Sequence, residues 1–527
     1  MPQRKLSILL ALLGVFLWAS AMPARAANSC ESLQRVDFSA IPDAPTRISS
    51  SKVVDNLREL LGDLGMPSQP QLVDLAIKHI GSVRPYCRIM GSVSRTVGFQ
   101  LLLPAIDWNG KFLHVGCGGW CGTTGYVGIA CAKYPGYACV GTDMGHTGEG
   151  GTWFRNNLQA QIDFSYRATH VTTLAGKAIA ERFYATRPKR SYFMGCSTGG
   201  YQGMVEAQRF PWDFDGIVAG APDMDESDLA VRSLWIKKSF FGGDGKPVLS
   251  PRKIQLLHAA ALARCDTDDG VKDGIISDPM HCKFDPGELL CRGEASGDQC
   301  LSPSQVQAVR NIYGAPVNSK GVVLSTRGVF PGSENYWFLS FRQIWGDEYF
   351  GDTALLSSSD FDFDRDYARS GVGVLFDDTN PDLRRFKATG GKLIVYQGGN
   401  DTEETPPSVF DYYETVEKTM GGRAATQDFF RLFTIPGMAH CVGGDGAFSV
   451  DYLRYLEAWV EQGQAPEVMI GYHVDGLQRY EDNVLKPPPD PRVHVTFTRP
   501  HYPYPQHAKY NGKGDPTRAE SFGPAQP

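Results

Sequence analysis

A serine flanked by glycines, Gly195-Cys196-Ser197-Thr198-Gly199, lies between an apolar run, Ser191 to Met194, and a helix-like stretch from Tyr201 to Arg209. Glycine on both sides permits a tight strand-to-helix turn, which exposes the serine Oγ and aims the following N–H at a developing oxyanion. A chain built around such a turn is constrained to alternate strands and helices in an α/β architecture. Other segments keep that rhythm: Lys111–Val115 running into Gly116, Tyr137–Val140 into Gly141-Thr142-Asp143, Ile217-Val218-Ala219, and Lys392–Tyr396. Strands from both ends of the chain therefore enter one sheet. Between about Met224 and Phe386 the rhythm breaks into cysteine-flanked loops and Asp-rich clusters, with Trp337, Phe338, Phe341, Trp345, Tyr349 and Phe350 to form a core of their own. That stretch reads as an inserted domain. The tail from Pro487 through Tyr502-Pro503-Tyr504-Pro505 reads as irregular surface chain, and there is no internal repeat.

A serine nucleophile needs an imidazole to take its proton and a carboxylate to orient that imidazole. In α/β-hydrolases these follow the serine in the order acid, then histidine. Asp401 stands on the loop after the Lys392–Tyr396 run, and His440 lies in the glycine-rich loop Pro436-Gly437-Met438-Ala439-His440-Cys441. The bland alternatives are a helix-capping Asp and a surface His. His114 and His146 also follow apolar runs, but both precede the serine. If Ser197 and His440 meet, their neighbours Cys196 and Cys441 come within reach of a disulfide. The competing role for Cys196, a thiol nucleophile, is disfavoured in an oxidising compartment.

Residues 1–26 have the form of a secretory leader: Arg4 and Lys5, an apolar run from Leu6 to Trp18, and Ala24-Arg25-Ala26 as cleavage site. The run is short for a membrane anchor, and no later stretch reaches 18 apolar residues. The expectation is export, secreted or periplasmic, with no membrane partner. The formal charge of −6 gives no support for binding nucleic acid. Export makes an even set of 12 cysteines a disulfide framework. Within it, Cys117, Cys121, Cys131 and Cys139 lack the two-residue knuckle of a zinc site, and the partners within this quartet stay open. The loop from Cys265 to Ile275 carries Asp266, Asp269 and Asp273. It is no EF-hand, and its carboxylates repel unless solvated or shared by a hard cation.

Together, Cys196-Ser197, Asp401 and His440-Cys441 resemble the signature of the tannase and feruloyl esterase family. The likeness extends over nearly the whole mature chain, through Trp108-Asn109-Gly110-Lys111-Phe112, Gly116-Cys117-Gly118-Gly119, Thr142-Asp143-Met144-Gly145-His146, Gly220-Ala221-Pro222 and Tyr504-Pro505-Gln506. Its members are secreted α/β-hydrolases with an inserted lid, which implies a catalytic domain at 27–223 and 387–527 and a lid at 224–386. The resemblance implies Ser197 as nucleophile, His440 as base then acid, and Asp401 as orienter. The oxyanion hole would be the Thr198 N–H with one from Gly118 or Gly119. It further implies a Cys196 to Cys441 link, a lid disulfide of Cys265 with Cys282, and a structural Ca²⁺ on Asp266, Asp269 and Asp273 with the carbonyls of Val271 and Ile275. Cys30, Cys87, Cys291 and Cys300 are further disulfide cysteines. Two departures stand out. The C-terminal cysteine pair frequent in the family is missing here, where His501 stands, so a looser tail is expected. The quartet crowds the glycine turn, where two local bridges would stiffen it. The implied substrate is a small aromatic ester, feruloyl, galloyl or a terephthalate monoester, its ring against a Trp- and Phe-rich lid wall. The rivals are an aliphatic or polyester oligomer esterase on the same triad and a non-catalytic calcium-stabilised binding protein.

Overall fold

Apolar runs of about five residues, buried on both faces, form the centre of a mixed sheet. Its strands are β1 (Thr46–Val54), β2 (Tyr86–Val93), β3 (Val97–Pro104), β4 (Lys111–Val115), β5 (Ala138–Thr142), β6 (Arg190–Cys196), β7 (Gly216–Gly220), β8 (Lys392–Gly398) and β9 (Phe430–Ile435). The computed structural model describes residues 29–61, 83–148, 153, 156–222, 224–292, 297–341, 361–367, 373–474 and 494–526. The expected leader at 1–26, together with Trp345, Tyr349, Phe350 and Pro487, lies outside the described residues.

The strand order is β1-β2-β3-β5-β4-β6-β7-β8-β9. From β5 to β9 neighbours are parallel, whereas β1, β2, β3 and β5 pair antiparallel. Every residue of β5 and β7 is buried, as parallel strands covered by helices on both faces require. The edge strand β1 mixes buried and exposed positions instead, with a register shift between Ile48 and Ser50. Because β5 lies on one side of β4 and β6 on the other, the crevice at their carboxyl ends is a topological switch point, where open α/β sheets bind ligands. The registers Val115 with Met194, Cys196 with Gly220, and Gly220 with Tyr396 bring the ends of β4, β6, β7 and β8 to that one edge.

The segment between β7 and β8 is more regular than its sequence suggested, with helices Glu226–Phe240, Pro251–Cys265 and Pro303–Tyr313. Local caps start them: Asp225 accepts from Asp228 N, Ser250 precedes a first-turn proline, and Ser302 forms a capping box with Gln305. Trp337 and Phe341 are fully buried with Phe240, Leu257 and Ile312, so these two rings build the segment's core rather than a wall for substrate. The tail also departs from expectation. Strands β10 (Met469–Val474) and β11 (Val495–His501) pair antiparallel, as do β12 (His507–Tyr510) and β13 (Phe522–Ala525). His501 is buried there with Nε2 against the Ala447 carbonyl, and burial pushes its pKa down to about 4. Pairing and burial thus hold the tail without a cysteine pair.

Beneath the sheet edge, His170 on helix Ala168–Tyr184 places Nδ1 2.5 Å from Asp213 Oδ2, and the Lys177 ammonium donates to the Asp213 carbonyl. Glu206, fully buried on helix Thr198–Arg209, is the third member; its carboxyl is held well above the ordinary range by burial and then by the Asp213 charge. His170, Glu206 and Asp213 bring potential ligand atoms within 4.8 Å of one another, and Lys177 supplies the compensating charge. Below the ordinary glutamate pKa both folded and unfolded chains carry the proton. Above it only the unfolded chain gives the proton up, and burial of Glu206 costs stability progressively as pH rises. Glu206→Gln is therefore expected to unfold like the parent near pH 4.5, and to be more stable by about 1–3 kcal/mol at pH 8 in denaturant titrations.

Candidate active site

At the end of β6 the chain turns into helix Thr198–Arg209 through Ser197, whose backbone is left-handed at φ 61° and ψ −127°. Such a conformation is costly for a residue with a Cβ and persists only where surrounding structure enforces it. Here Ser197 N donates to the Gly220 carbonyl at 3.0 Å and Ser197 O accepts from Tyr201 N at 2.9 Å. The glycines around it are required by contact. A Cβ on Gly199 would stand 2.8 Å from the Cys117 carbonyl oxygen, and one on Gly116 would stand 2.7 Å from Gly199 Cα. The loop after β4 therefore packs backbone to backbone against the serine turn.

Three further links hold that loop. Thr198 Oγ1 donates to the Gly119 carbonyl at 2.6 Å, Cys117 N donates to Gln202 Oε1 at 3.0 Å, and Cys117 is bonded to Cys121. Gln202 is in turn anchored through its Nε2 to Thr169 Oγ1 at 2.8 Å. Gly118 and Gly119 thus stand on a loop bonded to the first turn of the helix, whose dipole favours negative charge at that end. The quartet resolves into Cys117–Cys121 and Cys131–Cys139.

Asp401 lies three residues beyond β8 and is completely buried. Its Oδ1 accepts from the backbone N–H groups of Glu403 and Glu404, each at 3.0 Å, while Oδ2 accepts from Gln397 Nε2 at 3.2 Å. The remaining contact of Oδ2 is His440 Nδ1 at 2.9 Å. An acceptor-only carboxylate makes Nδ1 the protonated nitrogen, which leaves the Nε2 lone pair for a partner on the other side. Cys441 is bonded to Cys196 across 245 residues of sequence with Cα atoms 5.9 Å apart, so the loop of His440 is fastened to the serine turn. On the Nε2 side a second carboxylate approaches: Glu403 Oε2 lies 3.8 Å from that nitrogen. The other two histidines weighed from sequence serve the core. His114 is fully buried with Nδ1 at 2.7 Å from Thr173 Oγ1, and burial pushes its pKa down to about 3. His146 stacks on Trp153, and burial lowers it to about 4.

The profile of the family described as tannase and feruloyl esterase matches residues 80–373 and 365–525. The chain belongs to the tannase and feruloyl esterase family. Mono(2-hydroxyethyl) terephthalate hydrolase of Piscinibacter sakaiensis is 30% identical over 576 residues, covering 91% of this chain and 92% of that protein. An uncharacterized esterase of Xanthomonas campestris pv. campestris is 34% identical over 497 residues, covering 83% and 84%. The crystal structure of feruloyl esterase B from Aspergillus oryzae superposes with a TM-score of 0.80 at 27% identity, covering 94% of this chain and 99% of that one. This member of the family is a carboxylic ester hydrolase.

Away from the serine turn, the remaining cysteines pair as Cys30–Cys87, Cys265–Cys282 and Cys291–Cys300. In the acidic loop Asp266 and Asp269 are buried. Asp266 Oδ1 accepts from the N–H groups of Asp273 and Gly274, Asp269 Oδ1 from Val271 N, and Asp269 Oδ2 from Ser277 Oγ at 2.6 Å. Asp273 Oδ1 accepts from Ile275 N, and its Oδ2 meets the Arg499 guanidinium at 2.5 Å. Burial first, and then the charge of a neighbouring aspartate, raises the carboxyls of both Asp269 and Asp273. Arg499 was invisible to sequence reasoning because it lies 226 residues from its partner. Gln202, Gln397 and Glu403 were likewise missed, although the acidic run after Asp401 offered a signal for Glu403.

Replacing Cys196 and Cys441 together by Ser is expected to cost about 2–5 kcal/mol of stability in denaturant titrations. Ester turnover at a temperature where the variant stays folded should fall as well, because the histidine loop loses its tie to the serine turn. Unchanged stability and turnover would show that the Asp401 contacts alone hold the loop.

Proposed function

We propose that this enzyme cleaves esters of aromatic acids through an acyl-enzyme on Ser197, with His440 as general base then acid and Asp401 as its orienter. The observation that carries the reading is the 2.9 Å contact of His440 Nδ1 with the buried Asp401 carboxylate, on a loop tied through Cys441 to the residue before Ser197. Ser197 Oγ attacks the ester carbonyl and its proton passes to His440 Nε2. The oxyanion meets the Thr198 N–H and a donor from Gly118 or Gly119, on a loop bonded to the serine turn through Thr198 Oγ1 and the Gly119 carbonyl. His440 returns the proton to the leaving alcohol, and water then releases the acid by the same steps. The aromatic acid half is supported by the names of the relatives, a terephthalate monoester hydrolase and a feruloyl esterase. The segment at 224–386 is the lid in this reading. Leader form and six disulfides support a secreted or periplasmic enzyme.

The donor set of the acidic loop suits a structural Ca²⁺. Asp266, Asp269 and Asp273 offer hard carboxylate oxygens, Asp266 and Asp269 are buried, and burial first and then like charge raise the carboxyls of Asp269 and Asp273. The carbonyls of Val271 and Ile275 would complete the set, and the ion would add to the charge that Arg499 brings to Asp273 and Asp269.

Initial rates on methyl ferulate, methyl gallate and mono(2-hydroxyethyl) terephthalate should show turnover of at least one, abolished in Ser197→Ala. Cleavage of short aliphatic esters alone would keep the triad and sink the aromatic reading. Removing calcium with a chelator should lower the thermal midpoint by the equivalent of about 2–3 kcal/mol, restored by Ca²⁺ and not by Mg²⁺. Asp266→Asn should shrink that shift, and a midpoint indifferent to chelator would refute the calcium site.

A further inference from the structure

Glu403 brings a carboxylate to the Nε2 side of the His440 imidazole. His440 Nε2 must face both Ser197 Oγ and the oxygen of the leaving alcohol, because the proton travels from the first to the second. The acyl oxygen is drawn to the opposite side, toward Thr198 and the glycine loop, whose hydroxyl-to-carbonyl link fixes its place. A group within about 4 Å of Nε2 that is neither serine nor oxyanion donor therefore borders the leaving oxygen. Glu403 Oε2 is such a group, at 3.8 Å from Nε2 with its side chain only 14% exposed. Its backbone is held in register by the bond from Glu403 N to Asp401 Oδ1, the same carboxylate that orients the imidazole. The imidazole thus has Asp401 at Nδ1 and Glu403 beyond Nε2.

We propose that Glu403 is a specificity residue for the alcohol half of the ester, favouring alcohols that carry a hydroxyl or an ammonium group near the ester oxygen over alcohols that carry an anion. The inference rests on the triad reading above and deepens it. A carboxylate in a largely dehydrated site accepts a hydrogen bond from a neighbouring hydroxyl and attracts a cation, while an anion at that distance meets like charge with little solvent to screen it. Neutral alkyl alcohols gain nothing from it.

The test compares choline, 2-hydroxyethyl and carboxymethyl esters of a single acid that the enzyme cleaves, in the parent and in Glu403→Gln. The parent should favour the choline over the carboxymethyl ester in kcat/KM by about tenfold or more, and the substitution should shrink that ratio by about tenfold. A ratio that Glu403→Gln leaves unchanged, or a parent that favours the carboxymethyl ester, overturns the proposal. If Glu403→Gln does not fold, the parent supplies the same readout. Its acyl-enzyme, offered choline and glycolate together, should pass the acyl group from Ser197 to the choline oxygen in preference, with the hydroxyl proton taken by His440 and returned to Ser197. Equal transfer, or preference for glycolate, overturns it. Because all ratios are taken within one acid, a wrong assignment of the acid leaves this test intact, whereas turnover surviving in Ser197→Ala would refute the triad reading and not Glu403.

Discussion

The contact of backbone with backbone at the ends of β4 and β6 sets the geometry on which the rest of the site depends. Gly116, Gly195 and Gly199 approach so closely that a single Cβ at any of them would stand 3.0 Å or less from a main-chain atom of its neighbours. This closeness lays the Gly118-Gly119 loop against the first turn of helix Thr198–Arg209, where Thr198 Oγ1 bonds the Gly119 carbonyl. It also leaves Ser197 no conformation but the left-handed one, with Gly220 and Tyr201 taking its main-chain groups. Parallel pairing of β4 with β6 is what brings the two glycine turns together, and that pairing follows from burial of both strands.

On the other side of the serine, order comes from a buried carboxylate whose oxygens are taken up by donors. Asp401 serves at once as acceptor for its own loop, as partner of Gln397 and as partner of His440. A charge so enclosed is tolerable only with that many donors, and each donor locks one more piece of the loop. The loop is also fastened outward: Asn400 Nδ2 donates to the Gly332 carbonyl and Thr402 Oγ1 to Ser340 Oγ. The residues on either side of Asp401 are thereby bonded to the segment inserted between β7 and β8.

Buried charge is managed in the same manner elsewhere in the molecule. Lys177 answers the Asp213 and Glu206 pair, and Arg499 reaches from the tail to Asp273 while lying over Phe522. In both places the compensating cation comes from a distant part of the chain, and ordering the tail is one result. Strands β10 to β13 give that tail a fold that its prolines concealed, since Pro500 and Pro503 sit at strand pairings where their missing N–H can be tolerated.

Features that depend on a few neighbouring residues were legible in the sequence. The turn at Ser197, the five central strands and the loops carrying Asp401 and His440 all follow from local sterics and local hydrogen bonding. Strands β1 to β3 were not, because no glycine turn announces them. The same holds for contacts made across the chain. The division of four crowded cysteines into Cys117–Cys121 and Cys131–Cys139, the approach of Glu403 to His440, the anchoring role of Gln202, and the charges on Lys177 and Arg499 depend on which surfaces the sheet brings together. Sequence alone determined the chemistry that could be assembled at the strand ends, because side-chain type and turn propensity are local. Only the tertiary structure decided which groups meet and which are buried, because distance and desolvation belong to the packed chain.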